Sequence, residues 1–257
     1  MMPKFVIGGV EHSGTTLLSD IFRQVPGLDS GFEVGVLLCN TPKEFRTFKP
    51  FIDQMPAGWG LTEEDLDYIC DTDSFQDFYE RLYEKSQIIK KPCEIFDKTP
   101  RYAWGIEKCI SNYPDGKYIL TYKDPRALFY SNYKRYGENV NFKDFIENNL
   151  PKSIKYWLKI YENYQKIKKE EIKGNFLIVS LEEITFDCRK TLEKIFEFVG
   201  LEFNLDYLLL RNLRYRHTRA DYISAKIALE YRFKLKKEEI KIITQELGGI
   251  LNEWFYE

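Results

Sequence analysis

The stretch FVIGGVEHSGTTLLSDIF, residues 5–22, constrains the fold more than any other part of the chain. Residues 4–8 are a short β-branched and aromatic run ending in glycine, which predicts a buried strand. Ser13-Gly14-Thr15-Thr16 follows, and Leu17, Leu18, Ile21 and Phe22 then recur at helical spacing. Strand, tight loop and helix in such close succession predict a cradle of backbone N–H groups at a helix N-terminus, because Gly9 and Gly14 let the chain turn inward. Anionic oxygens fit such a cradle. By itself the segment also suits a plain strand-to-helix turn.

The alternation continues downstream. Residues 94–97, 117–122 (after Asp115-Gly116) and 176–180 (after Gly174-Asn175) read as short strands, each followed by a helical pattern. Thr62 and Ser74 read as helix N-caps, the second supported by Asp77 and by Phe75, Phe78, Tyr79 and Leu82 on one face. Asp124-Pro125 supplies a cap and a first-turn proline for a helix through Arg135, and Pro151 is expected to open a long lysine-rich helix. These elements predict an α/β fold: a three-layer α/β/α domain with a mostly parallel central sheet and a phosphate-binding loop after the first strand. Ligands of such sheets bind at the carboxyl ends of the strands. No linker divides the 257 residues, so one domain, 1–257, is expected.

Composition narrows the function. Net charge is −2, from 38 basic and 40 acidic residues, which removes the broad attraction needed for non-specific nucleic-acid binding. An anionic ligand must then be held by a local site. No apolar run is long enough for a membrane span, and the five scattered cysteines predict a reducing, cytoplasmic setting rather than a disulfide framework. With His12 and His217 as the two histidines, a metal cluster lacks ligands.

The string GGVEHSGTTLL resembles the 5′-phosphosulfate loop of sulfotransferases that use 3′-phosphoadenosine 5′-phosphosulfate (PAPS), in which a basic residue precedes Ser-Gly-Thr-Thr. DKTPRY, residues 97–102, looks like the acidic-Lys-(Ser/Thr)-Pro motif of carbohydrate sulfotransferases. YKDPRALFYSNYKRY, residues 122–136, looks like the family's 3′-phosphate motif. The resemblance runs from residue 5 to about residue 203, through VSLEEI and LEKIFEFVGLEF, and fades beyond. It implies transfer of a sulfuryl group from PAPS to a hydroxyl-bearing acceptor, glycan or small molecule, leaving adenosine 3′,5′-bisphosphate (PAP).

The resemblance also assigns roles. His12, Ser13, Gly14, Thr15 and Thr16 would hold the 5′-phosphosulfate, and Lys123, Ser131 and Arg135 the 3′-phosphate. The family's cation and serine lie eight positions apart, as Lys123 and Ser131 do, and Arg135 falls one turn beyond on the same helix face. PGLDSGFE resembles tyrosylprotein sulfotransferases, which makes Glu33 the expected general base, and Lys98 is expected beside the bridging oxygen of the leaving group. The plainer alternatives are a solvated carboxylate for Glu33, a salt bridge from Lys98 to Asp97, and surface roles for Lys123, Ser131 and Arg135. Residues 40–61, with three prolines and two glycines among Phe and Trp, are expected as an irregular surface segment near the acceptor.

Several positions depart from the family pattern. His12 stands for the usual Arg or Lys, Lys123 for Arg, Ser180 for a tyrosine near the cofactor, and Gly35 for the arginine that tyrosylprotein sulfotransferases place near an acidic peptide. His12 can therefore act as a cation only when protonated, or as a neutral hydrogen-bond donor. Arg211, Arg214, Arg216, His217 and Arg219 could close over the nucleotide or form a solvated face. Two other functions remain open: a P-loop nucleotide kinase or NTP-using enzyme, which Thr15 in place of the Walker lysine disfavours, and a non-catalytic PAPS-binding module, which Glu33 and Lys98 disfavour.

Overall fold

The structure is a computed structural model that describes residues 1–137, 139–214 and 223–254. Among the described residues six strands form, in chain order: β1 (Val6–Gly9), β2 (Leu28–Asp29), β3 (Glu94–Ile95), β4 (Asp97–Lys98), β5 (Lys117–Tyr122) and β6 (Asn175–Ser180). Four of them make a parallel sheet in the order β4-β1-β5-β6, with Val6 opposite both Asp97 and Tyr118, and Tyr122 opposite Ser180. Strands β2 and β3 pair separately, also in parallel. The expected α/β fold with a parallel central sheet is what forms.

Period-two alternation explains the layering. Val6, Tyr118 and Leu120 enter one apolar cluster, packed by helices that include Glu63–Cys70, Phe75–Lys85 and Phe142–Lys168. Phe5, Ile7, Ile119, Leu177 and Val179 enter the opposite cluster, with helices Thr15–Phe22 and Cys188–Val199. Both faces of the sheet are thus covered, as a parallel sheet requires. The caps fall where the sequence placed them: Thr62 accepts from the Asp65 N–H at 3.1 Å, and Ser74 from the Asp77 N–H at 3.2 Å.

Three expectations are corrected. The single strand over residues 94–97 is two strands in different sheets, because the chain passes from β3 to β4 at Phe96. The lysine-rich helix begins at Phe142, capped by Asn141, and carries Pro151 inside it. Both Pro151 and Glu147, whose carbonyl loses its partner there, are exposed to water. Residues 40–61 are not an irregular surface segment. They form the helical turns Pro42–Phe45, Phe51–Met55 and Pro56–Gly60, and bury Phe45, Phe51, Ile52, Met55 and Trp59 in the core.

Candidate active site

Strand β1 ends at Gly9, where an added Cβ would lie 2.1 Å from Thr121 Oγ1, so only glycine lets the loop leave the sheet here. The Val10 N–H donates to the Thr121 carbonyl at 3.0 Å and ties the loop to β5. Ser13 is fully buried; its hydroxyl bonds the Val10 carbonyl and shares a 2.6 Å hydrogen bond with the Thr121 hydroxyl. Its side chain thus holds the loop's shape. His12 and Gly14 adopt left-handed backbone, φ 66° and 93°, the former a strained conformation for a residue with a side chain. Gly14 caps helix Thr15–Phe22 without any side-chain hydrogen bond, which leaves the first N–H groups of that helix open to an anion. Thr15 is buried and Thr16 half-buried at this end.

Strand β4 turns Asp97 and Lys98 to opposite sides. Asp97 is buried and accepts from the hydroxyls of Tyr79 at 2.6 Å, Tyr102 at 2.7 Å and Thr99 at 2.8 Å. Burial pushes its carboxyl above the ordinary value, although the three donors oppose the shift. Thr99 in turn accepts the Val34 N–H at 3.0 Å, binding this motif to the segment after Glu33. Lys98, on the other side, is 2% exposed and donates to Glu33 Oε1 at 2.8 Å; its ammonium lies 4.8 Å from the centre of the Phe32 ring. Its partner is Glu33, not Asp97.

Residues 58–59 hold Glu33 in place. The Phe32 N–H donates to the Gly58 carbonyl at 3.0 Å, and Trp59 Nε1 donates to the Phe32 carbonyl at 2.8 Å. At Gly35, φ is 81° and a Cβ would lie 2.5 Å from the Phe51 ring, so no larger side chain fits unless that ring moves.

Lys123 follows β5, is 3% exposed, and donates to Ser131 Oγ at 3.1 Å. The eight-residue spacing thus closes in space. Burial lowers Lys123 to about 8, while the carboxylates of Glu182, Asp124 and Glu230 pull it up. Asp124 caps the helix Pro125–Tyr136 through the Arg126 N–H at 2.8 Å, and also accepts from the Arg126 guanidinium at 2.7 Å and the Tyr231 hydroxyl at 3.0 Å. Arg135 is exposed one turn beyond Ser131. Burial first, then the charges of Arg135 and Lys123, hold His12 down at about 4, against a hydrogen bond with Asn132 that favours the protonated ring. His12 Nε2 is buried without a hydrogen-bond partner.

The structure therefore joins Glu33 with Lys98, Lys123 with Ser131, and sets His12 in the field of Lys123 and Arg135. It turns Arg214 elsewhere: that residue pairs with Asp29 at 2.7 Å and bonds the carbonyls of Ser30 and Ile88. Arg211 is exposed, and Arg216, His217 and Arg219 lie outside the described residues. Tyr231, which reaches Asp124 from the helix Lys226–Lys234, carried no sequence signal, because its partner is 107 positions away. Among the described residues, no cluster could hold a metal ion and no helix is long and apolar enough to cross a membrane.

The model of the Sulfotransferase family matches residues 3–205. No curated protein sequence matches significantly. Among solved structures, the fold is similar to the sulfotransferase domain of the Synechococcus PCC 7002 olefin synthase, with a TM-score of 0.67 at 19% identity over 98% of this chain and 94% of that one. It is also similar to the sulfotransferase domain from the curacin biosynthetic pathway, with a TM-score of 0.63 at 16% identity over 96% and 98%. Mouse sulfotransferase SULT7A1 complexed with PAP gives a TM-score of 0.52 at 13% identity over 98% and 85%. The family match takes in the loop, Glu33, Lys98, Lys123, Ser131 and Arg135 and stops before the C-terminal helices, and on that match the chain belongs to the sulfotransferase family.

Proposed function

We propose that the protein transfers the sulfuryl group of PAPS to a hydroxyl of a glycan or small-molecule acceptor, with Glu33 as general base and Lys98 as the cation at the reacting group. The observation that carries this reading is the Lys98–Glu33 pair at 2.8 Å, set at the carboxyl ends of the strands beside a phosphate loop. The residues present suit PAPS. An uncapped helix N-terminus, a loop that a Cβ at Gly9 would fill, an orphaned His12 Nε2 and the Lys123–Ser131–Arg135 group together make a donor set for two separate anionic groups.

When bound, PAPS supplies an activated sulfuryl group on a phosphate leaving group. The loop N–H groups, Thr15 and Thr16 would bind its 5′ end, and Lys123, Ser131 and Arg135 its 3′-phosphate. Glu33, 22% exposed and with no hydrogen bond to its Oε2 among the described residues, would take the proton of the acceptor hydroxyl. Lys98 orients Glu33 through its hydrogen bond to Oε1 and would place positive charge where negative charge develops. Thr15, in place of a Walker lysine, leaves an NTP-using reading without its cation.

A thermal-shift series with PAP, ADP, ATP and AMP, followed by transfer of labelled sulfate from PAPS to an acceptor panel, tests the proposal. Preferential stabilisation by PAP and labelled product are expected; stabilisation by ATP over PAP, with no transfer, would replace it with the nucleotide-kinase reading.

A further inference from the structure

A second group of polar side chains lies past the carboxyl ends of β1 and β4. The helix Phe142–Lys168 is fixed to the strand ends by Tyr164, whose hydroxyl donates to the Thr121 carbonyl at 2.9 Å, and by Tyr161, which donates to the Lys123 carbonyl at 2.9 Å. Asn163 ties the same helix to the carbonyls of Ala103 and Trp104, at 2.9 and 3.0 Å. Tyr156, between one and two turns earlier, therefore stands past the strand ends, where Arg101 meets it. The Arg101 guanidinium lies 5.5 Å from the centre of the Tyr156 ring and 5.4 Å from that of Trp104.

The Tyr156 hydroxyl oxygen is buried and has no hydrogen-bond partner. Burial keeps this phenol protonated well beyond neutral pH, reinforced by the negative charges of Glu11 and Glu33. Glu11 is exposed on the phosphate loop next to His12. Its carboxyl is raised by the protein around it and by Glu33, while Arg101 and Arg135 oppose the shift. Strands β1 and β4 are parallel neighbours, so the loop with Glu11 and the turn with Arg101 leave the sheet side by side; Tyr156 meets Arg101 there, and the charges of Glu11 and Glu33 are felt at its hydroxyl. The sulfuryl-transfer chemistry uses only Glu33.

We infer that Glu11, Arg101 and Tyr156 form an acceptor subsite that selects a polyhydroxyl acceptor, one carrying a second hydroxyl on the carbon next to the hydroxyl that faces Glu33. The inference rests on the sulfuryl-transfer reading and adds the substrate class. An otherwise apolar alcohol would strip water from a carboxylate and a guanidinium without replacing it and would leave the buried phenol unpartnered, which is costly for each group. An anionic acceptor would meet Glu11 and Glu33. A neighbouring hydroxyl answers all three groups, because it can accept from Arg101 or Tyr156 while it donates to Glu11. Sites built this way reject an analogue lacking the hydroxyl far more strongly than an apolar pocket rejects an added one.

The test compares cyclohexane-1,2-diol with cyclohexanol, by calorimetric titration into PAP-saturated protein and as acceptors of labelled sulfate from PAPS. The diol is expected to be favoured about tenfold or more, the effect of one hydrogen bond to a charged group. That ratio is expected to fall toward one in Tyr156→Phe and in Glu11→Gln. Equal treatment of the two alcohols by the wild type, or a ratio that survives in both variants, overturns the subsite alone when PAP binds and sulfate is transferred. Absence of both PAP binding and transfer to any alcohol overturns the sulfuryl-transfer reading itself and this inference with it.

Discussion

Lys98 Nζ and Glu33 Oε1 lie 2.8 Å apart, with the lysine 2% and the glutamate 22% exposed. The pair is therefore asymmetric: the cation is buried, and the carboxylate is the more open partner. Glu33→Gln keeps a carbonyl acceptor for Lys98 but no base, so transfer should fall about 10²–10⁴-fold while PAP affinity is retained. Glu33→Ala also strands a buried ammonium and should lower stability by several kcal/mol, about 3–5 where the remaining charge is fully enclosed. Single-turnover kinetics and urea denaturation of the two variants separate these effects. Near-wild-type turnover in Glu33→Gln removes Glu33 from the chemistry.

Lys123 is held at about 8 by burial, so it loses its proton within a pH range that an exposed lysine never feels. If its ammonium clasps the 3′-phosphate, PAP binding must keep or supply that proton, and affinity falls as pH rises through about 8. AMP, which lacks the 3′-phosphate, should show no such fall. Lys123→Ala should weaken PAP by about 1.5–3 kcal/mol and leave AMP nearly unaffected. Calorimetry of both nucleotides between about pH 7 and pH 9 checks the two together; equal losses for PAP and AMP mean that Lys123 does not read the 3′-phosphate.

Much of this site was legible because its parts are local. The loop announces itself through Gly9 and Gly14, and Lys123 and Ser131 meet because a strand end and the second turn of its following helix are fixed neighbours. Residues 117–122 were read at their full length because the run is both β-branched and buried on each face. The failures have a different origin. β2 and β3 are two residues long each and leave no periodicity to read. Residues 40–61 resemble a loop in composition, yet their aromatic residues fill the core under Glu33. Arg101, Tyr156 and Tyr231 act through partners set by tertiary packing, which no spacing rule reaches.

His12 contradicts the simplest expectation for a residue at an arginine position. Burial, Arg135 and Lys123 hold it at about 4, so it is neutral in the free protein at ordinary pH. The sign for stability follows from linkage. The unfolded chain takes up this proton near pH ~6.5 and the folded chain only near 4, so stability is lost as pH falls through that window. His12→Asn, which tolerates the left-handed backbone, should flatten the decline, as read from melting temperatures between about pH 7 and pH 4. An anion on the loop acts in the opposite direction and should raise the histidine, so PAPS-analogue affinity falls as pH rises through the raised value. Identical pH profiles for wild type and His12→Arg would leave His12 with a neutral role only.

Tyr231 lies beyond the family match, in the helix Lys226–Lys234, and is 1% exposed. Its hydroxyl donates to Asp124 Oδ2 at 3.0 Å and accepts from Arg232 Nε at 3.1 Å, while Lys134 and Glu230 join the same two helices at 3.0 Å. Asp124 follows Lys123 directly and caps the helix that carries Ser131 and Arg135, so Tyr231 braces, through Asp124, the residues proposed to hold the 3′-phosphate. Tyr231→Phe keeps the ring and deletes one hydrogen bond to a carboxylate, which should cost about 1.5–3 kcal/mol of stability. A positioning role makes a further demand that packing alone does not: PAP affinity should fall several-fold with AMP affinity unchanged, and the pH at which PAP binding weakens should shift with the altered field at Lys123. A variant that melts early yet binds PAP with the wild-type affinity and pH profile shows that Tyr231 supports the fold and not the 3′-phosphate residues.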